Sequence, residues 1–174
     1  MKYKILIVDD EPANLRALER LFRDKHEVLT AMSGAEALAA LENHDVALLI
    51  ADQRMPEMSG IELVGRTVAL RPHMVRILLT GYTDVSSLIE AINCGHVYKY
   101  ITKPWNNEEL AITVSRALAH YDAVKTRHGF EMVNDRLRAR LNEIAELATT
   151  DELAPEARLG PAVRERQLDL VSPN

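Results

Sequence analysis

Short apolar runs alternate with amphipathic stretches along the first 120 or so residues. Five segments read as strands: "YKILIV" from Tyr3, "EVLTA" from Glu27, "VALLIA" from Val46, "VRILL" from Val75 and "VYKYI" from Val97. Each is brief, β-branched and bounded by polar or turn residues. Three are nearly all apolar, as strands covered on both faces of a parallel sheet must be. The stretches between them repeat at helical spacing, with Leu15, Leu18, Leu21 and Phe22 on one face of the first and Ala37, Leu38 and Leu41 in the second. Ile61, Leu63, Val64 and Val68 mark a third helix, and Val85, Leu88, Ile89 and Ile92 a fourth. Pro12 suits the first turn of helix one. Ser33 and Asp84 are candidate N-caps for helices two and four. Gly60 is expected to open the third helix, and a fifth begins after Pro104, near Asn106 or Asn107. Five β–α units predict a doubly wound α/β domain over residues 1–122.

Beyond it the helical pattern continues. Leu110, Val114, Leu118 and Tyr121 lead on to Phe130, Val133, Leu137, Leu141, Ile144 and Ala148, the last six at coiled-coil-like spacing with one stutter. Gly129 weakens the helix locally. A continuous helix over 107–148 would be a rod of roughly 60 Å, at 1.5 Å per residue. We expect residues 123–150 to form a signalling stalk that pairs two molecules, in preference to a helix folded back on its own domain. The segment 151–174 carries three prolines and a glycine and reads as an irregular or short-helical tail.

Composition adds limits. The 174 residues are 47% hydrophobic and 27% charged, ordinary values for a globular protein. A formal charge of −5 argues against direct nucleic-acid binding, which rests on neutralising phosphates. The single cysteine, Cys94, excludes an intrachain disulfide and fits a reducing compartment. No apolar run approaches 18 residues and no signal-peptide pattern opens the chain, so a cytoplasmic protein without membrane contact is expected.

In doubly wound sheets, ligands bind beyond the carboxyl ends of the strands. There the sequence places Asp9 and Asp10 after strand one, Asp52 after strand three, Thr80 after strand four and Lys103 after strand five. Carboxylates gathered near neutral pH repel one another, and a divalent cation resolves the conflict. Mg²⁺ takes oxygen ligands and typically uses one or two carboxylates along with waters and phosphate oxygens. A carboxylate beside such an ion can act as a nucleophile toward phosphorus, while a hydroxyl and an ammonium stabilise the phosphoryl group. Ordinary readings stand beside these. Asp9 or Glu11 would favour a helix N-terminus, Thr80 would end a strand, and Lys103 would be solvated. Their convergence on one edge favours the chemical reading.

Residues 3–121 resemble a two-component response-regulator receiver domain. The segments that carry the resemblance are "ILIVDDEP", "LLIADQRMPEMSGIEL", "VRILLTGYTD" and "YKYITKPWNNEEL". It implies a flavodoxin-like fold with strand order 2-1-3-4-5 and an extended C-terminal helix. By resemblance Asp52 is the phosphoacceptor, charged by a sensor histidine kinase or a phosphotransfer protein. Asp9, Asp10, Asp52 and the backbone carbonyl of Arg54 are the Mg²⁺ ligands. Thr80 is the switch hydroxyl, Tyr100 the switch aromatic and Lys103 the phosphate-binding lysine, with a cis bond between Lys103 and Pro104. The resemblance further implies a signal passed through the face of helix four, strand five and helix five, and a homodimer through that face or through the C-terminal helix. "NCGHVYKY" is about one residue longer than in the simplest receivers. With "DQRMP" and "ITKPW", it is similar to receivers of hydrogenase-gene regulators and of cyclic-di-GMP phosphodiesterase regulators. Arg54 and Tyr82 occupy positions that tune phosphate lifetime in the family.

Two alternatives remain. Phosphatases of the haloacid-dehalogenase type also form an aspartyl phosphate after a strand, but they carry a second acid where this chain has Arg54. A non-phosphorylated scaffold of the same fold is the other. No phosphate-cradling glycine motif is present. His44, His120 and His128 lack the companions of a metal site or a phosphohistidine donor, and no GG(D/E)EF sequence occurs. The chain is read either as part of a longer regulator or as a receiver that works by protein contact, and not as an enzyme beyond self-phosphorylation and self-dephosphorylation at Asp52.

Overall fold

The computed structural model describes residues 2–81 and 96–151, with side chains as far as 146. Five strands, β1 (Lys4–Val8), β2 (Glu27–Ala31), β3 (Leu48–Asp52), β4 (Val75–Thr80) and β5 (Lys99–Thr102), form one sheet. All pairings are parallel, in the order β2-β1-β3-β4-β5. Three helices, α1 (Pro12–Phe22), α2 (Gly34–Asn43) and α3 (Gly60–Leu70), connect β1 through β4, and a C-terminal helix runs Asn107–Asp151. The fold class and strand order expected from the sequence are therefore found. The fourth predicted helix, with its candidate cap Asp84, lies outside the described residues, as do Tyr82 and Cys94.

Side chains of a strand alternate between the two faces of a sheet, and here both faces are apolar. Ile5, Ile7, Leu48, Ile50, Ile77 and Leu79 pack with Leu15, Leu18 and Phe22 of α1 and with Leu110, Val114 and Leu118 of the C-terminal helix. Leu6, Val8, Leu49, Ala51 and Leu78 face the other way, against Ala37 and Leu41 of α2 and Leu63 and Val64 of α3. Two cores thus clamp one sheet and hold its strand ends at fixed spacing.

Helix starts follow local chemistry. Pro12 occupies the first turn of α1, and the Ser33 hydroxyl accepts the Glu36 N–H at α2. Gly60 opens α3 as expected, and Ser59 before it is the capping residue, in a reciprocal box with Glu62 that satisfies two amides otherwise left without partners. At the C-terminal helix, the Asn106 side chain accepts from the N–H groups of Glu108 and Glu109.

One buried charge was passed over by the apolar reading of "VRILL". The Arg76 guanidinium donates to the carbonyls of Thr67, Arg71 and Met74 and to the Thr67 hydroxyl, at 2.7–2.9 Å. It thereby pins the end of α3 to the start of β4. Burial lowers its pKa to about 10.

The chain divides into two compact units, Met1–His128 and Gly129–Asn174. In the second, Phe130, Val133, Leu137, Leu141 and Ile144 are each more than half exposed along the helix. No helix among the described residues is long and apolar enough to cross a membrane.

Candidate functional site

At the carboxyl end of β1 the chain turns straight into α1, leaving Asp9 wholly buried. Its carboxylate is ringed by donors. The Glu11 N–H reaches Oδ1 at 2.9 Å. The Asn14 amide reaches Oδ1 at 3.2 Å and Oδ2 at 3.1 Å. Asp10 is half-buried and, among the described residues, makes no hydrogen bond or ion pair.

Asp52 ends β3 and is 5% exposed. Its Oδ2 accepts the backbone N–H of Arg54 at 3.0 Å. The loop that follows folds back tightly, with the Gly60 N–H donating to the Gln53 carbonyl. A Cβ at Gly60 would come against the Asp52 carbonyl oxygen and the Leu78 side chain. Only glycine lets α3 begin so close to the acid. Glu57, in the same loop, adopts a left-handed φ of 64°.

Lys103 joins the two acids. Its Nζ lies 2.9 Å from Asp9 Oδ2 and 2.6 Å from Asp52 Oδ1, although the three residues come from widely separated parts of the sequence. The Lys103 backbone is anchored in turn, its N–H donating to the Thr80 carbonyl at 2.7 Å. The Lys103–Pro104 bond is cis. Thr80 is buried at the end of β4, and its hydroxyl donates to the Gly81 carbonyl at 3.0 Å. Tyr100 is exposed, and its hydroxyl makes no hydrogen bond among the described residues.

The electrostatics follow from this packing. Burial pushes the Asp52 carboxyl above its usual range. The Lys103 ammonium opposes that, and the neighbouring charge of Asp9 adds to it. Burial alone would depress Lys103, but hydrogen bonds and attraction from Asp52 and Asp9 outweigh it, and its pKa is raised. One ammonium faces two buried carboxylates, and Asp10 follows Asp9 at the same strand end, so acids outnumber bases at this edge. Among the described residues, no three His, Cys, Asp or Glu side chains are gathered closely enough to cage a metal unaided. An all-oxygen donor set of this kind fits an ion that retains waters, as Mg²⁺ does, better than one needing a complete protein cage.

Of the residues singled out from sequence, Asp9, Asp52 and Lys103 meet directly, while Thr80 and Asp10 stand at the same edge. Tyr100 does not join them. Asn14, which the sequence reading passed over, belongs to the cluster. A polar residue one turn into a helix that follows two acids was the available signal.

A family model described as the response regulator receiver domain matches residues 5–115. The hydrogenase transcriptional regulatory protein HoxA of Bradyrhizobium diazoefficiens is 38% identical over 117 residues, which are 67% of this chain and 24% of that protein. The transcriptional regulatory protein ZraR of Salmonella typhimurium is 31% identical over 159 residues, covering 86% of this chain and 36% of its own length. The chain thus spans about a quarter to a third of the curated relatives it matches. Among solved structures, an adenylate cyclase from Rhodopirellula baltica superposes with a TM-score of 0.73 at 31% identity, over 75% of this chain and 97% of that one. The signal receiver domain of an HD domain-containing protein from Pseudomonas fluorescens Pf-5 gives 0.67 at 33% identity, over 71% and 99%.

Proposed function

This chain belongs to the response regulator receiver domain family, and on that premise we propose that Asp52 is its phosphoacceptor, charged by a sensor histidine kinase or a phosphotransfer protein. Receiver domains of response regulators are phosphorylated by histidine kinases, generally with Mg²⁺. One observation carries the reading for these particular residues. The Lys103 ammonium sits between two buried carboxylates, 2.6 Å from Asp52 and 2.9 Å from Asp9.

The chemistry is in-line transfer. An Asp52 carboxylate oxygen attacks the phosphorus of a phosphohistidine, the O–P bond forms, and the N–P bond to imidazole breaks. Asp52 is already oriented for this, because the Arg54 N–H fixes one oxygen and Lys103 the other. Lys103 then neutralises charge on the transferred group. Asp9, Asp10, Asp52 and the Arg54 backbone carbonyl are the residues that would hold Mg²⁺, which when bound stabilises negative charge on the phosphoryl oxygens.

Transmission follows from Thr80. Its hydroxyl, now given to the Gly81 carbonyl, is free to turn toward a phosphoryl oxygen at the next strand end. The Gly81 backbone would follow, and exposed Tyr100 is the ring that would then turn inward. A preference of a few kcal/mol for the phosphorylated arrangement is enough to shift most of the population. The output surface on this reading includes β5 and the start of the C-terminal helix, and the fourth helix expected from the sequence lies outside the described residues. The apolar stripe from Phe130 to Ile144 supports a homodimer through the stalk, since each of these side chains stands in water in a single copy.

The test is acetyl phosphate or beryllofluoride with Mg²⁺. We expect one adduct per chain, borne on Asp52 and lost in Asp52→Asn. Continuous turnover of phosphoester substrates would mark a phosphatase instead. Absence of both adduct and turnover would leave a scaffold.

A further inference from the structure

Asp9 has more donors than orientation requires. A carboxylate offers about four lone-pair positions. Here they receive the Glu11 N–H at 2.9 Å, the Asn14 amide at 3.2 and 3.1 Å, and the Lys103 ammonium at 2.9 Å. A cation that binds Asp9 must take a share from one of these.

The three donors differ in how firmly they are held. The Glu11 N–H belongs to the backbone at the start of α1, whose helical turn fixes it. The Lys103 ammonium is shared with Asp52 at 2.6 Å, so leaving Asp9 would disturb both acids. Asn14 is a half-buried side chain whose amide divides itself over both oxygens at the longest distances of the set. As a neutral donor it also binds a carboxylate less tightly than the charged ammonium does. Asn14 is therefore the partner that yields most easily.

We propose that Asn14 competes with the metal for Asp9 and so sets the affinity of the pocket for a divalent cation. This rests on the reading of Asp9 as a metal ligand. Asn14 is a positioning residue that acts through Asp9. Its amide holds the buried carboxylate in place and withdraws as the cation takes over the same lone pair. Removing the amide leaves Asp9 still oriented by Glu11 and Lys103, with lone-pair capacity freed for an incoming ion.

The experiment uses the full chain and MgCl₂ alone, without a phosphodonor. Binding is followed by calorimetry or by fluorescence of Trp105, which stands two residues past Lys103 and is the sole tryptophan. Thermal melts are recorded across the same titration. For Asn14→Ala we expect Mg²⁺ affinity to tighten about three- to tenfold, the worth of one hydrogen bond. Its melting temperature should lie below that of the parent without added Mg²⁺, and the gap should close as Mg²⁺ rises. Loss of a purely structural contact would lower the melting temperature equally at every Mg²⁺ concentration. A constant gap with unchanged or weaker affinity overturns the inference and leaves the metal reading intact. Failure of the parent chain itself to bind Mg²⁺ overturns both. Asn14→Leu, which keeps the bulk and drops the amide, gives the same comparison if the alanine variant does not fold.

Discussion

A carboxylate that is 5% exposed and sits beside a second buried acid carries its charge at a cost to the fold. Asp52→Asn should therefore abolish phosphoryl labelling while stabilising the protein by about 1 kcal/mol, measured as a shift in the urea midpoint. Lys103→Met should do the reverse. With no ammonium between Asp9 and Asp52, about 3 kcal/mol of stability is expected to be lost near pH 7. The pH dependence has a definite sign for each group. Asp52 holds its proton more firmly folded than unfolded, so stability falls as pH rises from about 4, the unfolded value, through the raised folded value. Lys103 has a raised folded pKa, so its contribution is complete below about pH 10 and disappears as pH climbs through that folded value. Melts of the parent and of Asp52→Asn across the acidic range should differ in slope in that direction. These acids and the lysine were legible in the sequence because each directly follows an apolar strand. Asn14 was not, since a polar residue in the first turns of a helix usually faces water. Nor was Arg76, because a lone charge inside an apolar run gives no hint that three carbonyls and a hydroxyl await it.

At the level of elements, α3 is the piece most directly joined to the site. Ser59 and Glu62 cap it, and Gly60 lets its first turn press against Asp52. Ser59→Ala should cost about 1 kcal/mol, the usual worth of such a cap, in chemical denaturation. Gly60→Ala should cost more, because the new methyl group meets backbone and Leu78 and the loop carrying Asp52 must shift. The phosphorylation rate should fall along with stability in that variant, whereas Ser59→Ala should leave the rate closer to that of the parent. The box is present in the sequence as Ser59-x-x-Glu62, a recognised helix-start pattern, and it agrees with a helix opening at Gly60. Strand β5 is shorter than the apolar run suggested. Val97 is buried but precedes the ladder, whose register runs from Lys99 after the Tyr98 N–H has met the Arg76 carbonyl.

For the whole molecule, parallel pairing followed from continuous apolar segments separated by helical ones, each needing a crossover, while the order of the strands came from the family resemblance. The Phe130–Ile144 stripe was equally plain from spacing. What covers it depends on other chains, and no single sequence encodes those. If two copies pair through it, sedimentation should report a dimer, and Leu137→Glu with Leu141→Glu should yield a monomer that still accepts phosphate on Asp52. The threading of the sheet has a further consequence. Asp9 leaves the ribosome first, Asp52 in mid-synthesis and Lys103 well after both, so the acids exist for a time without their ammonium. If Asp52 is the phosphoacceptor, the pocket that would receive the group is complete only once the strand leading to Lys103 has been made.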